Sequence, residues 1–167
     1  MNGQEYVVKG YFTLEELMKL NILPPEDRVK KGRVAVIECV QEIPCNPCAV
    51  VCKVKAIMKE SISKPPRVDW DKCVGCELCI SSCPGLAIFC IQIKDGKGYV
   101  SMPYELLPEP KVGDEAVLLD RSGREVGIGR IVKALRPQKQ DPAFVITVET
   151  PDPKHVFEVR AVRIIRR

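Results

Sequence analysis

At 167 residues the chain has room for one ordinary domain or two small ones, and 46% hydrophobic residues are enough for a core. No stretch approaches the roughly 18 consecutive apolar residues of a membrane span, and the opening Met1-Asn2-Gly3-Gln4-Glu5 lacks the basic, apolar and small-residue regions of a secretory signal, which predicts a cytoplasmic chain. The net charge of +4 belongs to the C-terminal part, because residues 1–109 carry 14 Lys+Arg against 14 Asp+Glu and residues 110–167 carry 12 against 8, a balance that requires no nucleic-acid partner.

The first predicted element is a short helix over 14–20. Thr13 and Glu16 have capping-box spacing, Leu14, Leu17 and Met18 share a face, and Asn21 with Pro24-Pro25 ends the run. It reads as cover for a core edge, or as a docking arm for a partner subunit. Lys30-Lys31-Gly32-Arg33 reads as a basic turn, and the β-branched run Val34–Ile37 as a strand that ends at the first cysteines.

Nine cysteines are many for a chain without an export signal, and eight of them fall between Cys39 and Cys83. The later group, Cys73-x2-Cys76-x2-Cys79-x3-Cys83-Pro84, wraps three thiols around one point and turns the fourth away, the spacing of an iron–sulfur ligand run. Zinc prefers paired knuckles on two separate turns, and disulfides need an oxidising compartment. The earlier group, Cys39-x5-Cys45-x2-Cys48-x3-Cys52, repeats it: Cys45, Cys48 and Cys52 lie 31 residues before Cys76, Cys79 and Cys83, and Ala56-Ile57 lies 31 before Ala87-Ile88. If the copies interlock, one cluster takes Cys39, Cys45, Cys48 and Cys83, and the other takes Cys73, Cys76, Cys79 and Cys52. Only Cys90 is then left over. The first copy departs in two ways: Lys53 stands where the second has Pro84, and three extra residues separate Cys39 from Cys45 in a loop stiffened by Pro44 and Pro47. The alternative is one cluster beside a vestigial or differently filled first site.

Between the copies, 57–60 and 66–70 read as short strands. After them, Ala87–Ile93 reads as a strand turning through Asp95-Gly96-Lys97-Gly98 into Tyr99–Met102, with Cys90 as a buried small hydrophobe. Residues 103–110, with three prolines, read as a linker. Beyond them four strands are expected at 115–119, 125–132, 143–149 and 156–162, forming a small antiparallel barrel or curled sheet, with Gly127 and Gly129 bending the second. His155 reads as a surface or edge residue at a strand start, and Arg160, Arg163, Arg166 and Arg167 as a solvated basic tail. The expected organisation is an N-terminal arm (1–32), a cysteine domain (33–102), the linker (103–110) and an all-β module (111–167).

Residues 33–102 resemble the bacterial-type two-cluster ferredoxins through these two cysteine runs. The resemblance implies an α+β, pseudo-symmetric ferredoxin-like domain with two [4Fe-4S] clusters that carry single electrons. Ile43-Pro44-Cys45-Asn46-Pro47-Cys48 is similar to small iron–sulfur subunits that accompany flavin-dependent dehydrogenases of amino or hydroxy acids. Together with the added arm and β module, it implies a subunit of an oxidoreductase complex with no catalytic residues of its own, partnered by a flavoprotein subunit or a soluble redox carrier. The competing readings are a stand-alone soluble ferredoxin and a zinc- or cluster-binding scaffold that acts through its β module.

Overall fold

The structure, a computed structural model, describes residues 5–137 and 143–165. Residues 1–4, most of the polar loop expected at 136–142, and Arg166 and Arg167 lie outside the described residues.

Three short helices open the chain: α1 (Glu5–Lys9), α2 (Leu14–Lys19) and α3 (Glu26–Lys31). The capping box on α2 forms as expected, with Thr13 accepting from the Glu16 N–H and Glu16 accepting from the Thr13 N–H, and it buries only Leu17. The basic run at 30–33 is not a free turn, because Lys30 and Lys31 close α3, which starts behind Pro25 and buries Val29.

The cysteine region holds β1 (Val34–Ile37), α4 (Pro47–Val51), β2 (Ile57–Met58), β3 (Arg67–Val68), α5 (Leu78–Ser81) and β4 (Ile88–Lys94). The repeat is visible in its geometry. Helices α4 and α5 begin 31 residues apart. Lys55 and Leu86, also 31 apart, both adopt φ 52° and close the same turn onto the Cys52 and Cys83 carbonyls. Strand β1 pairs with β4 and β2 with β3, so the outer strand of each copy pairs with a strand of the other.

Strand β5 (Lys97–Tyr104) follows through a two-residue turn at Asp95-Gly96, where both φ values are positive (52° and 74°), the backbone of a tight hairpin. It runs through Pro103, inside the expected linker, and pairs with β8 (Phe144–Thr150). With β6 (Glu115–Leu119), β7 (Glu125–Leu135) and β9 (Ala161–Ile164), one seven-stranded sheet results, ordered β1-β4-β5-β8-β7-β6-β9. Strands from both sides of residues 103–110 therefore share a single sheet. The expected barrel is not closed. The ladder ends at β1 and β9, and the fourth strand begins at Ala161 because Pro153–Phe157, led by two prolines and capped by Asp152, forms a 3-10 turn instead.

The sheet is nevertheless rolled around one core to which all seven strands contribute, including Val34, Phe89, Val100, Leu118, Ile131, Ile146 and Val162. Its open seam is fastened by charge. Glu38, just past β1, takes a bidentate pair from Arg121 past β6 (2.6 and 2.8 Å) and a 2.6 Å bond from Arg160, which enters β9. Arg160 is thus not part of a solvated tail. It is 8% exposed, lies 4.9 Å above the Phe89 ring and donates to the Val156 and Val159 carbonyls. Arg163 keeps the exposed role and pairs with Glu125. Burial pulls the Arg160 guanidinium down to about 10 against the pull of Glu38, so it stays charged near neutrality. Burial pushes the Glu38 carboxyl up, but Arg160 and Arg121 outweigh it and hold the group below its ordinary 4.5.

Because the folded value is lowered, this stabilisation is complete above the ordinary carboxylate value and is lost as pH falls through the lowered one. Glu38→Gln leaves two buried guanidinium groups uncompensated and is expected to cost about 3–5 kcal/mol. Urea unfolding followed by circular dichroism should show the same deficit at about pH 6 and about pH 8, since both lie above the window in which the carboxylate titrates.

Candidate metal centre

The sheet positions the cysteines by alternation. On β1, Val34 and Val36 face the rolled core while Ala35 and Ile37 face outward. On β4, Phe89 and Ile91 face in while Ile88 and Cys90 face out. The outward residues join Ile57, Ile80 and Val145 in a second apolar cluster, against which the cysteine loops are packed.

Two cavities open in that layer. The first is lined by Cys39, Cys45, Cys48 and Cys83, with Ile37, Ile43 and Ile88 as apolar walls. The second is lined by Cys52, Cys73, Cys76 and Cys79, with Ala35, Ala56 and Ile57. Each cavity draws three thiols from one loop and one from the other, and Cys90 of β4 also lines the second.

Local structure explains the convergence. Pro47 opens α4 with the Asn46 carbonyl accepting from Ala49 and Val50, which turns Cys48 inward and leaves Cys52 at the helix end. The stretched loop between Cys39 and Cys45 is tied down twice at its far end: the Cys45 N–H donates to Ile62 (3.1 Å) and Lys59 Nζ donates to the Cys45 carbonyl. In the second loop, Arg28 of α3 reaches the carbonyls of Cys73 (2.6 Å) and Trp70 (2.7 Å). Gly75 is required by both conformation and space. Its φ is +63°, and a Cβ there would lie 2.5 Å from the Arg33 carbonyl oxygen.

The donor chemistry fits iron–sulfur clusters. Four of the predicted ligand thiols line each cavity, with Cys90 of β4 as a fifth thiol in the second, and the remaining walls are largely apolar apart from Lys59 in the first. In the second cavity backbone N–H groups point at sulfur: Ala35 N to Cys73 Sγ (3.4 Å) and Ala56 N to Cys52 Sγ (3.2 Å). Glu77 also borders the second cavity, but its carboxylate is engaged by Arg33, Ser101 and Lys133. Burial pushes the Cys39 and Cys48 thiols up, and nearby Cys83 and Cys45 add to the rise. Cys90 is fully buried on β4 beside Cys79. Its thiol hydrogen-bonds to Cys79, which lowers Cys79 and, together with burial, raises Cys90. His155, expected at a strand start, sits in the 3-10 turn on the far side of β7, against Gly127, and borders neither cavity.

Sequence reasoning missed the cations and the carboxylate that hold the loops. Glu77 carried one usable signal, being the only charge inside the Cys73–Cys83 run. Lys59, Arg28, Arg33 and Lys133 carried none, because their roles depend on tertiary placement.

The thiol arrangement suits the binding of an iron–sulfur cluster. Residues 66–89 match the 4Fe-4S binding domain family, Fer4, which indicates binding of a 4Fe-4S cluster and supports a role in electron transfer. No solved structure matches the chain. Among the described residues no helix is long and apolar enough to cross a membrane.

Gly75→Ala forces a side chain into the left-handed region, at about 1–2 kcal/mol, as well as a backbone clash. It is expected to lower the iron bound per chain, measured colorimetrically on protein purified without oxygen.

Proposed function

We propose that the chain relays single electrons through two [4Fe-4S] clusters, one held by Cys39, Cys45, Cys48 and Cys83 and the other by Cys73, Cys76, Cys79 and Cys52, in a pseudo-symmetric ferredoxin-like domain. The observation that carries this reading is the pair of cavities, each lined by three cysteines of one run and one of the other, with Cys90 of β4 as an additional thiol at the second. The 31-residue correspondence of α4 with α5 and the crossed pairing β1–β4 and β2–β3 support the pseudo-symmetry. Bound [4Fe-4S] clusters take up and release one electron at a time. The protein's part is to hold the sulfurs, exclude water with Ile37, Ile57 and Ile88, and direct the Ala35 and Ala56 N–H groups at sulfur, which favours the reduced state.

Zinc is disfavoured on geometry. Structural zinc sites pair C-x2-C knuckles on two separate turns, whereas here three cysteines crowd each loop and a fourth from the other loop lines the same cavity. A role as a subunit beside a flavoprotein dehydrogenase, rather than as a free carrier, is supported by the apolar side chains left exposed on the cysteine loops and the segment between them: Val50, Val54, Ile62 and Val74 are 39–76% exposed. The likeness of Ile43–Cys48 to subunits of that kind points the same way.

Anaerobic purification is expected to give about eight iron and eight acid-labile sulfide per chain, with a flavoprotein co-purifying from the native source. Cys83→Ala should remove the EPR signal of the cluster bound by the Cys39–Cys48 loop, although it lies in the other loop, and Cys52→Ala should do the converse. Four iron per chain, stoichiometric zinc, or loss in Cys83→Ala of the cluster bound by Cys73, Cys76 and Cys79 would overturn the assignment.

A further inference from the structure

Glu77 is the one charged residue inside the Cys73–Cys83 run, and it is 6% exposed at φ 68°. Its carboxylate accepts from Arg33 Nη1 (2.6 Å), Lys133 Nζ (2.6 Å) and Ser101 Oγ (2.5 Å), and Ser101 Oγ lies 2.8 Å from Thr147 Oγ1. These partners come from the residue before β1 and from β7, β5 and β8. One side chain thus bonds directly to three of them, Arg33, Lys133 and Ser101, and reaches Thr147 of β8 through Ser101.

Lys133 reaches Glu77 through an irregularity in β7. The pairing with β8 passes from Ile131↔Val148 directly to Lys133↔Thr147, which leaves Val132 unmatched. In a regular strand, residues 131 and 133 share a face, and Lys133 would point into the core beside the fully buried Ile131. The bulge turns it to the opposite face, beside Thr147 and Ser101, where Glu77 lies. The bulge and the ion pair form one device, aimed from the C-terminal half of the chain at the loop that presents Cys73, Cys76 and Cys79.

We propose that Glu77 and Lys133 are positioning residues of the second thiol cavity, with the buried carboxylate anchoring the Cys76–Cys79 loop and the charge pair setting the reduction potential of the cluster held there. This rests on the two-cluster reading above. A reduced centre carries one more negative charge, so a nearby carboxylate lowers its potential and a nearby ammonium raises it, through a low-dielectric layer that screens little. Lys133 is about a third exposed, 36% at its side chain, so solvent weakens its effect relative to that of Glu77.

Redox titration of the anaerobically purified full chain, followed by EPR, tests this. The wild-type iron and sulfide content and the number of redox couples are read first. Glu77→Gln should shift one couple upward and Lys133→Gln should shift the same couple downward by less, while the other couple stays in place. Lys133→Arg, which keeps the charge, should hold the wild-type value, and the double Gln variant should fall between the two singles. A merely structural role predicts lost iron or shifts of one sign, not opposite shifts from the two members of a pair. If Glu77→Gln does not load, Lys133→Gln against Lys133→Arg still decides. Unmoved couples, equal movement of both couples, or shifts in the same direction overturn the proposal. A wild-type chain with about four iron, about four sulfide and a single couple removes the reading beneath it instead.

Discussion

Strands β1 and β4 are buried on both faces, and the two faces serve different interiors. Val34, Val36, Phe89 and Ile91 complete the rolled core, whereas Ala35, Ile37, Ile88 and Cys90 form the floor beneath the cysteine loops. A one-residue slip in the β1–β4 register would exchange these sets and put the floor into the core. That register, Val34↔Ile91 through Ile37↔Ile88, is therefore the constraint on which the rest depends, since it fixes where Cys39 leaves the sheet and where the Ala35 N–H meets Cys73 Sγ.

The two buried carboxylates follow a common pattern. Glu38 directly precedes Cys39 and Glu77 directly follows Cys76, so each is adjacent in sequence to a cysteine of a different cavity. Each is met by cations from the C-terminal half, Arg121 and Arg160 for the first and Lys133 for the second, with Arg33 added to the latter. Burying such groups unpaired would cost several kcal/mol each. Paired in this way, they bind strands β6 to β9 to the cysteine layer. The C-terminal strands share one sheet with β1, β4 and β5 and supply the cations that meet the carboxylates beside the cysteines.

Much of this was legible in the sequence where the signal is local. The capping box at Thr13, the Asp95-Gly96 hairpin, the strands at 34–37 and 115–119, and the 31-residue repeat all depend on neighbouring residues, and each corresponds to a described element. What could not be read depends on contacts far along the chain. Arg160 looks like part of a basic tail until Glu38, 122 residues away, is placed beside it. Three prolines at 103–110 suggest a break, yet Pro103 sits within β5, its partner strand lying some 40 residues on. Nothing in Arg130-Ile131-Val132-Lys133 announces a bulge, because the register is set by β8.

That Cys83 lines the cavity of the first loop and Cys52 that of the second bears on what can be moved from this protein into another. The segment 66–89, which by itself carries the recognisable signature, surrounds neither cavity: it lacks Cys52 and holds Cys83 without the three cysteines beside it. Transplanting either loop would carry over an open ring. The smallest unit that encloses either cavity is the pair of loops with the two strands that floor them.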